Sequence, residues 1–420
     1  MQNKCYKKTD ILFPDFSVVD PYKWAVIACD QFTSEPEYWD NVKSIVGDAP
    51  STLKITLPEV YLDKSSELIP HINTTMKDYL SSVLQVEKDT AIYLERTQSD
   101  GTIRRGIVMA VDLECYDFKK GAKSLIRATE ATVEERIPPR VAIRRNAEIE
   151  LPHVMLLIDD PDRTVIEPLI DGSVGKTLYD TDLMLDGGHV IGKALTEENF
   201  KAVSTALDNL ITPSAIAKRY GNKELSPLLF AVGDGNHSLA TAKTLYEEVK
   251  AQIGEEQAKT HPSRYALVEI VNIHDNALKF EPIYRVMFNV EPKKVIEELT
   301  AYAKNLNGSA DKQTIEIFYG ESTETLTIEK PNLQLTVATL QNFIDDYLKN
   351  NKGAEVDYIH GEDSVKELSK KQNAIGFIFS GMGKSELFKT VMFDGALPRK
   401  TFSMGHAEDK RYYLECRKIK

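Results

Sequence analysis

Apolar positions along this chain switch repeatedly between short unbroken runs and a period near 3.6, which predicts strands interleaved with helices throughout. In the first half, residues 24–29, 91–96 and 106–111 read as strands. Residues 154–158 read as a buried strand that ends in the turn sequence Asp159-Asp160-Pro161. Residues 129–135 read as a charged helix or loop, broken at Pro138-Pro139. Further on, 200–211 has helical spacing and 228–232 is a short apolar strand. Leu239, Ala242, Leu245, Tyr246 and Val249 then recur at i, i+3, i+6, i+7 and i+10, one face of a helix. Strands follow at 265–273 and 283–288, then helices near 293–306 and 340–348 with strands at 315–318, 374–379 and 411–419. The pattern predicts an α+β protein. The change from Tyr-rich strands to the charged helix at 291–298 places a boundary near residue 290. It divides a main α+β domain, 1–290, from a smaller carboxy-terminal α/β domain, 291–420.

At 420 residues the chain is long enough for two or three domains, each with its own core. Lys plus Arg number 52 against 64 Asp plus Glu, a formal charge of −12, which opposes sequence-independent binding to nucleic acid or to an anionic membrane. A small anionic substrate is not opposed, because a phosphate pocket needs only a few local donors. No apolar run approaches the roughly 20 residues that span a bilayer, and residues 1–10 lack the apolar core of a signal peptide, so the reading is cytoplasmic. Cys5, Cys29, Cys115 and Cys416 are scattered with no CxxC pair, and the eight His include no HExxH. Neither a disulfide framework nor a zinc site is signalled, which fits a reducing compartment. Hydrolase and dinucleotide-redox readings find no support, since there is no G-x-S-x-G elbow and no G-x-G-x-x-G opening a βαβ unit.

The segment Gly233-Asp234-Gly235-Asn236-His237-Ser238 lies between the predicted strand and the predicted amphipathic helix. A strand that turns directly into a helix aims the first helical N–H groups past the strand end, where an anion can sit. The helix end contributes about 0.3–1 kcal/mol, whereas millimolar binding needs about 4 kcal/mol, so other donors must converge. His237 can donate a ring N–H, Ser238 a hydroxyl, and arginines from elsewhere charge-assisted bonds. Asp234 suits a Mg²⁺ ligand or a general base, or it is simply the helix cap. Arg127 and Glu130, at i and i+3, offer a cation and a carboxylate, with Arg144 and Arg145 nearby in sequence; the alternative is a solvated charged segment. Asp30, after the apolar run, is a second candidate base, although Ser34-Glu35-Pro36 also reads as a helix start. Gly172-Ser173-Val174-Gly175-Lys176-Thr177 and Gly381-Met382-Gly383-Lys384-Ser385 end like phosphate loops but lack the first Gly of that motif. Asp159, Asp160 and Asp162 read as a turn or a Mg²⁺ site. The basic stretch with Arg399, Lys400, His406, Lys410 and Arg411 reads as an anion-binding flap or as the loop before a terminal strand.

Gly233 to Ala242 resembles the D-G-[HN]-H-[RS] motif of the uncharacterised bacterial family named domain of unknown function one-thousand-fifteen. Trp24 to Glu35, Arg127 to Thr132 and Leu397 to Ala407 are similar to other blocks of that family. More distantly, the D-G-x-H turn is similar to the phosphate-binding turn of the ParB/sulfiredoxin-like superfamily, which includes archaeal kinases of free serine. That resemblance implies a ParB/sulfiredoxin-like mixed sheet with helices and a nucleotide-dependent phosphotransferase using Mg²⁺ with ATP or ADP and an alcohol acceptor. It assigns nucleotide phosphate or metal contact to Asp234, Asn236 and His237. Together with the residues read above, the candidate phosphate or nucleotide contacts are Gly233, Gly235, Asn236, His237, Ser238, Arg127, Arg145 and Lys400, the metal contact is Asp234, and the candidate catalytic carboxylates are Asp234, Glu130 and Asp30. Ser238 stands where many family members carry Arg, which removes a cation from the turn. The rival reading is a sensor or scaffold that binds a nucleotide or anion without turnover. The expected partner in either case is a small molecule, with no nucleic acid and no membrane.

Overall fold

The structure, a computed structural model, describes residues 4–119, 121–130, 137–170, 172 and 174–420. The chain divides into two compact units. One comprises residues 1–128, 132–278 and 406–420, and the other 129–131 and 279–405. A single cut near 290 does not describe this division, because the last fifteen residues return to the first unit.

Ten described strands of the first unit form a mixed sheet. Its order is Thr177–Asp182, His189–Ala194, Ile92–Thr97, Ile103–Asp112, Tyr265–Asn272, Met155–Ile158, Phe230–Asp234, Ile126–Ala128, Tyr116–Asp117, and Tyr6–Lys7 pairs with the 103–112 strand. Three of these pairings are parallel: 265–272 with 155–158, 230–234 with 126–128, and 126–128 with 116–117. The central strands alternate between two cores, as a sheet covered on both faces requires. Ile107, Met109 and Val111 enter one core, with Val203 and Leu207 of the helix Glu197–Leu210 and Leu239 and Tyr246 of the helix Asn236–Ile253. Val108, Leu94 and Leu267 enter the other, against Trp39 and Val42 of the helix Pro36–Val46 and the segments 25–28 and 412–414.

Two predicted strands are not strands. Residues 25–28 are buried but extended beyond the helix Pro21–Trp24, with one isolated bridge, Ile27 to Tyr412. The segment 411–419 holds only the short strand Arg417–Lys418, paired with Ile149–Glu150. Pro138 and Pro139 break nothing: they lie at the start of the helix Ile137–Arg145, where a missing N–H costs little. The reading of 129–135 as helix or loop falls largely on residues 131–136, outside the described residues.

The second unit is an antiparallel sheet in the order Ser322–Ile328, Gln313–Tyr319, Ala374–Phe379, Phe280–Phe288, Glu355–His360, with Phe402–Met404 added to Phe280–Pro282. The helices Pro292–Asn305, Thr336–Asn350, Glu362–Ser369 and Lys384–Phe393 accompany it. The mixed α and β class read from the sequence is the observed one. Among the described residues no helix is long and apolar enough to cross a membrane.

The scattered cysteines include one bonded pair. Pairing of Tyr6 with Val111 and Lys7 with Ala110 brings Cys5 to Cys115, Cα atoms 5.7 Å apart across a sequence separation of 110, and they form a disulfide. Cross-links over such loops stabilise by about 2–4 kcal/mol. Cys5→Ser is therefore expected to lower the urea midpoint under non-reducing conditions. The difference should vanish when both proteins are unfolded in dithiothreitol.

Candidate functional site

The strand Phe230–Asp234 passes into the helix Asn236–Ile253 through one residue, Gly235, at φ 80°. A side chain there would face both the left-handed backbone and Val154, whose Cα lies 3.1 Å from the Cβ position. The helix has no side-chain cap. Its first internal bond runs from Leu239 N–H to the Gly235 carbonyl at 3.0 Å, so the N–H groups of Asn236, His237 and Ser238 precede the ladder at the positive end of the helix. Asp234 does not cap the helix. Its Oδ1 accepts from Gly235 N–H at 2.9 Å, and its Oδ2 lies 3.3 Å from Lys410 Nζ.

The neighbouring strand supplies the other side. Met155 is the register partner of Asp234 and Val154 packs on Gly235, which sets His153 beside the turn. His153 Nδ1 lies 3.0 Å from Tyr413 Oη, and Nε2 lies 4.0 Å from Asp30 Oδ2. Burial holds the Tyr413 hydroxyl protonated, well above its ordinary range, so His153 Nδ1 meets a neutral phenol while Nε2 faces Asp30. Tyr413 Oη also accepts the Cys29 N–H at 3.0 Å. Burial, reinforced by Asp30, pushes the Cys29 thiol up to about 12, so it is no nucleophile at neutral pH. Glu59 donates its N–H to the Cys29 carbonyl at 2.8 Å and its carboxylate pairs with Arg140. Arg140 belongs to the helix that packs on the 236–253 helix through Ile137, Val141, Ala240 and Leu245.

Of the residues expected from the sequence, Asp30, Gly233, Asp234, Gly235, Asn236, His237 and Ser238 thus lie at or border one end of one sheet. Arg127 is spent elsewhere. Its Nε donates to the Ser124 carbonyl at 2.8 Å and its Nη2 to those of Ser226 and Pro227 at 3.1 and 2.9 Å, residues that precede the 230–234 strand whereas the turn follows it. Arg145 makes a surface pair with Glu248, 2.9 Å, which is roughly 18 Å along the helix from Asn236 at 1.5 Å per residue. Glu130 and Lys400 fall in the second unit, where Glu130 bridges Leu397 and the Lys400 carbonyl accepts from Arg285. Arg144 is held by the buried Glu150. Asp159, Asp160 and Asp162 form a turn rather than a metal site: Asp160 accepts from Thr164 and Val165 N–H, Asp159 binds His274 and Tyr220, and Asp162 pairs with Lys218. Of the two loops that end like phosphate loops, the first includes Ser173, outside the described residues. In the second, Gly383 N–H is already taken by Glu386 at 2.6 Å.

The sequence reading missed His153 and Tyr413 as site residues and named Lys410 only within the basic flap. The one available signal for His153 was its position just ahead of the buried strand at 154–158. All three are placed by Arg411. Its Nη1 meets Glu269 at 2.7 Å, its Nη2 meets Glu415 at 2.5 Å, and its Nε donates to the Pro152 carbonyl at 2.9 Å, directly before His153.

The family model described as "Protein of unknown function (DUF1015)" matches residues 13–390. The chain belongs to this family. A comparison with curated proteins finds no match. Among solved structures, this DUF1015 chain is similar to a conserved hypothetical protein from Pyrococcus furiosus, with 13% identity, TM-score 0.34, and coverage of 74% of this chain and 95% of that one. It is also similar to a variant of a free serine kinase in complex with ADP, with 11% identity, TM-score 0.37 and coverage of 74% and 92%. A third is SbnI with a carboxy-terminal truncation from Staphylococcus aureus, at 8% identity, TM-score 0.34 and coverage of 71% and 82%.

Removing Arg411 leaves Glu415 and part of Glu269 buried without compensation, a change that typically costs 3–5 kcal/mol. Arg411→Met is thus expected to lower the unfolding free energy, extrapolated from urea titration, by an amount in that range. Burial acts to raise the Glu269 carboxyl, but Arg104 and Arg411 reverse this and hold it below the ordinary Glu value. The stability it contributes is present above the unfolded pKa, about 4.3, and is lost as pH falls through the lower folded value. Wild-type urea midpoints measured between pH 6 and pH 3 should fall with acid, and a flat profile would contradict this account.

Proposed function

We propose that this DUF1015 chain is a nucleotide-dependent phosphotransferase, moving a phosphoryl group from ATP or ADP to the hydroxyl of a small metabolite. The observation that carries the reading is a convergence at one strand end: a helix N-terminus without a side-chain cap and two carboxylates from distant segments. Asp30 faces a histidine and Asp234 faces a lysine. Phosphoryl transfer asks the protein mainly for positioning and for charge aimed at the phosphate oxygens. Lys410 and the N–H groups at the start of the 236–253 helix supply positive charge there, and His237 and Ser238 add side-chain donors.

Asp30 accepts the proton of the acceptor hydroxyl as its oxygen bonds to the transferred phosphorus and the bond from that phosphorus to the nucleotide's bridging oxygen breaks. The products are a phosphoester and a nucleotide one phosphate shorter. His153, held at Nδ1 by Tyr413, presents Nε2 beside Asp30 and orients that carboxylate. Glu130 lies in the second unit and is not needed for this step. Among the described residues no three His, Cys, Asp or Glu side chains cluster to hold a metal. Asp234 fits Mg²⁺ in its nucleotide-bound form, which takes one or two carboxylates and fills its shell with phosphate oxygens and water. Bound that way, the ion supplies charge neutralisation to the phosphates.

Thermal-shift measurements with ATP, ADP, AMP and phosphate, with and without Mg²⁺, test the binding. A nucleotide at 100 times its Kd stabilises by about 2.7 kcal/mol, and His237→Ala should remove that shift. Product formation across a panel of hydroxylated metabolites tests the chemistry. Asp30→Asn should keep the shift and lose roughly 10²–10⁴ in rate. No shift with any nucleotide sinks the proposal, and a shift without any product favours a sensor.

A further inference from the structure

Arg285 and Tyr358 are direct partners across the antiparallel strands Phe280–Phe288 and Glu355–His360, so both side chains leave the same face of the second unit's sheet. Arg285 is fully buried. Its guanidinium is spent on neutral acceptors: Nε donates to Gln341 Oε1 at 2.7 Å, Nη1 to the carbonyls of Ile283 and Lys400 at 2.6 and 3.1 Å, and Nη2 to the carbonyl of Arg399 at 3.3 Å. A buried cation therefore anchors the backbone of two consecutive basic residues. Lys400 is held at φ 55°, a left-handed conformation unfavourable for a residue with a Cβ and kept only where the surroundings impose it.

The side chains of that anchored pair turn back to the same ring. Arg399 Nε donates to Tyr358 Oη at 3.1 Å, and its guanidinium lies 5.4 Å from the ring centroid. Lys400 Nζ lies 5.2 Å from the centroid and the Arg285 guanidinium 4.5 Å. Three like charges around one ring repel one another, and the ring's quadrupole offsets part of this. Arg399 and Lys400 are exposed, and neither makes an ion pair among the described residues. Asp345 and Glu130 are the carboxylates whose charge acts on Arg285, and Asp345 is itself held by Gln341 Nε2 at 2.8 Å.

We propose that the second unit carries its own binding site for a small phosphate anion, formed by Arg399 and Lys400 beside Tyr358 and preorganised by Arg285. The planar fork of Arg399 matches two phosphate oxygens and the ammonium of Lys400 adds a point charge, the pairing that favours phosphate over chloride. The left-handed backbone of Lys400 and the anchoring of both carbonyls spare the ordering cost that flexible surface cations would meet. This goes beyond the chemistry assigned to Asp234 and does not rest on it.

Isothermal titration of the full chain with pyrophosphate tests it, with inorganic phosphate and sodium chloride at matched ionic strength as separate arms. The expected result is saturable pyrophosphate binding, none with chloride, and affinity lower by about tenfold in R399A and in K400G, the loss of roughly one charge-assisted bond. K400G relaxes the left-handed residue, so its melting temperature should equal or exceed that of the wild type, which separates lost binding from lost folding. Absence of saturable binding overturns the proposal, as does unchanged affinity in both R399A and K400G. Binding lost in D234N but kept in R399A overturns it too, by moving the anion to the first unit's turn.

Discussion

The buried Arg411 guanidinium is the contact on which the first unit's candidate site depends. One side chain meets two carboxylates, Glu269 on a central strand and Glu415 four residues further along its own segment, and a carbonyl at Pro152. Its neighbours in sequence, Lys410 and Tyr413, then have little freedom in where they stand, and both reach the turn at Gly235 or the histidine beside it. Charges removed from water in this way contribute little net stability. What they provide is register: a segment with hardly any ladder bonds is placed to within a hydrogen bond. Arg104 shares Glu269 and also holds the Asp409 carbonyl, so the approach to Lys410 is fixed from both sides.

Much of the fold was legible where one physical requirement dominated. The short apolar run Ile107 to Ala110 suits a strand buried between two cores, and the 3.6 period from Leu239 to Val249 suits a helix with one buried face. The turn at Gly235 was legible because few arrangements other than a tight strand-to-helix junction call for Gly-Asp-Gly between such elements. The failures share a cause. Residues 24–29 and 411–416 are apolar enough to look like strands, yet they bury each other, through the Ile27 to Tyr412 bridge and the Trp24 Nε1 bond to the Leu414 carbonyl, without joining a ladder. Nothing local distinguishes an apolar segment that pairs from one that is merely covered.

The same limit governs the candidate site. Asp234, His237 and Ser238 announce themselves by their place in a motif, whereas His153, Tyr413 and Lys410 come from remote segments, and only the register of Met155 against Asp234 and the burial of Arg411 bring them there. Arg127 and Arg145 looked equally suited to phosphate from the sequence. Charge alone does not separate a ligand-facing arginine from one that satisfies carbonyls at Ser226 and Pro227 or pairs on the surface with Glu248.

The route of the chain also orders its assembly. Residues 406–420 belong to the first unit but are translated after nearly all of the second. During synthesis the large sheet precedes the residues Tyr412, Tyr413 and Leu414 that pack on it, and one of the two arginine partners of Glu269 is still to be made. The smaller unit's strands are all made by then. The site at Gly235 is thus complete only after Lys410 and Tyr413 have been made, later than every strand of the smaller unit.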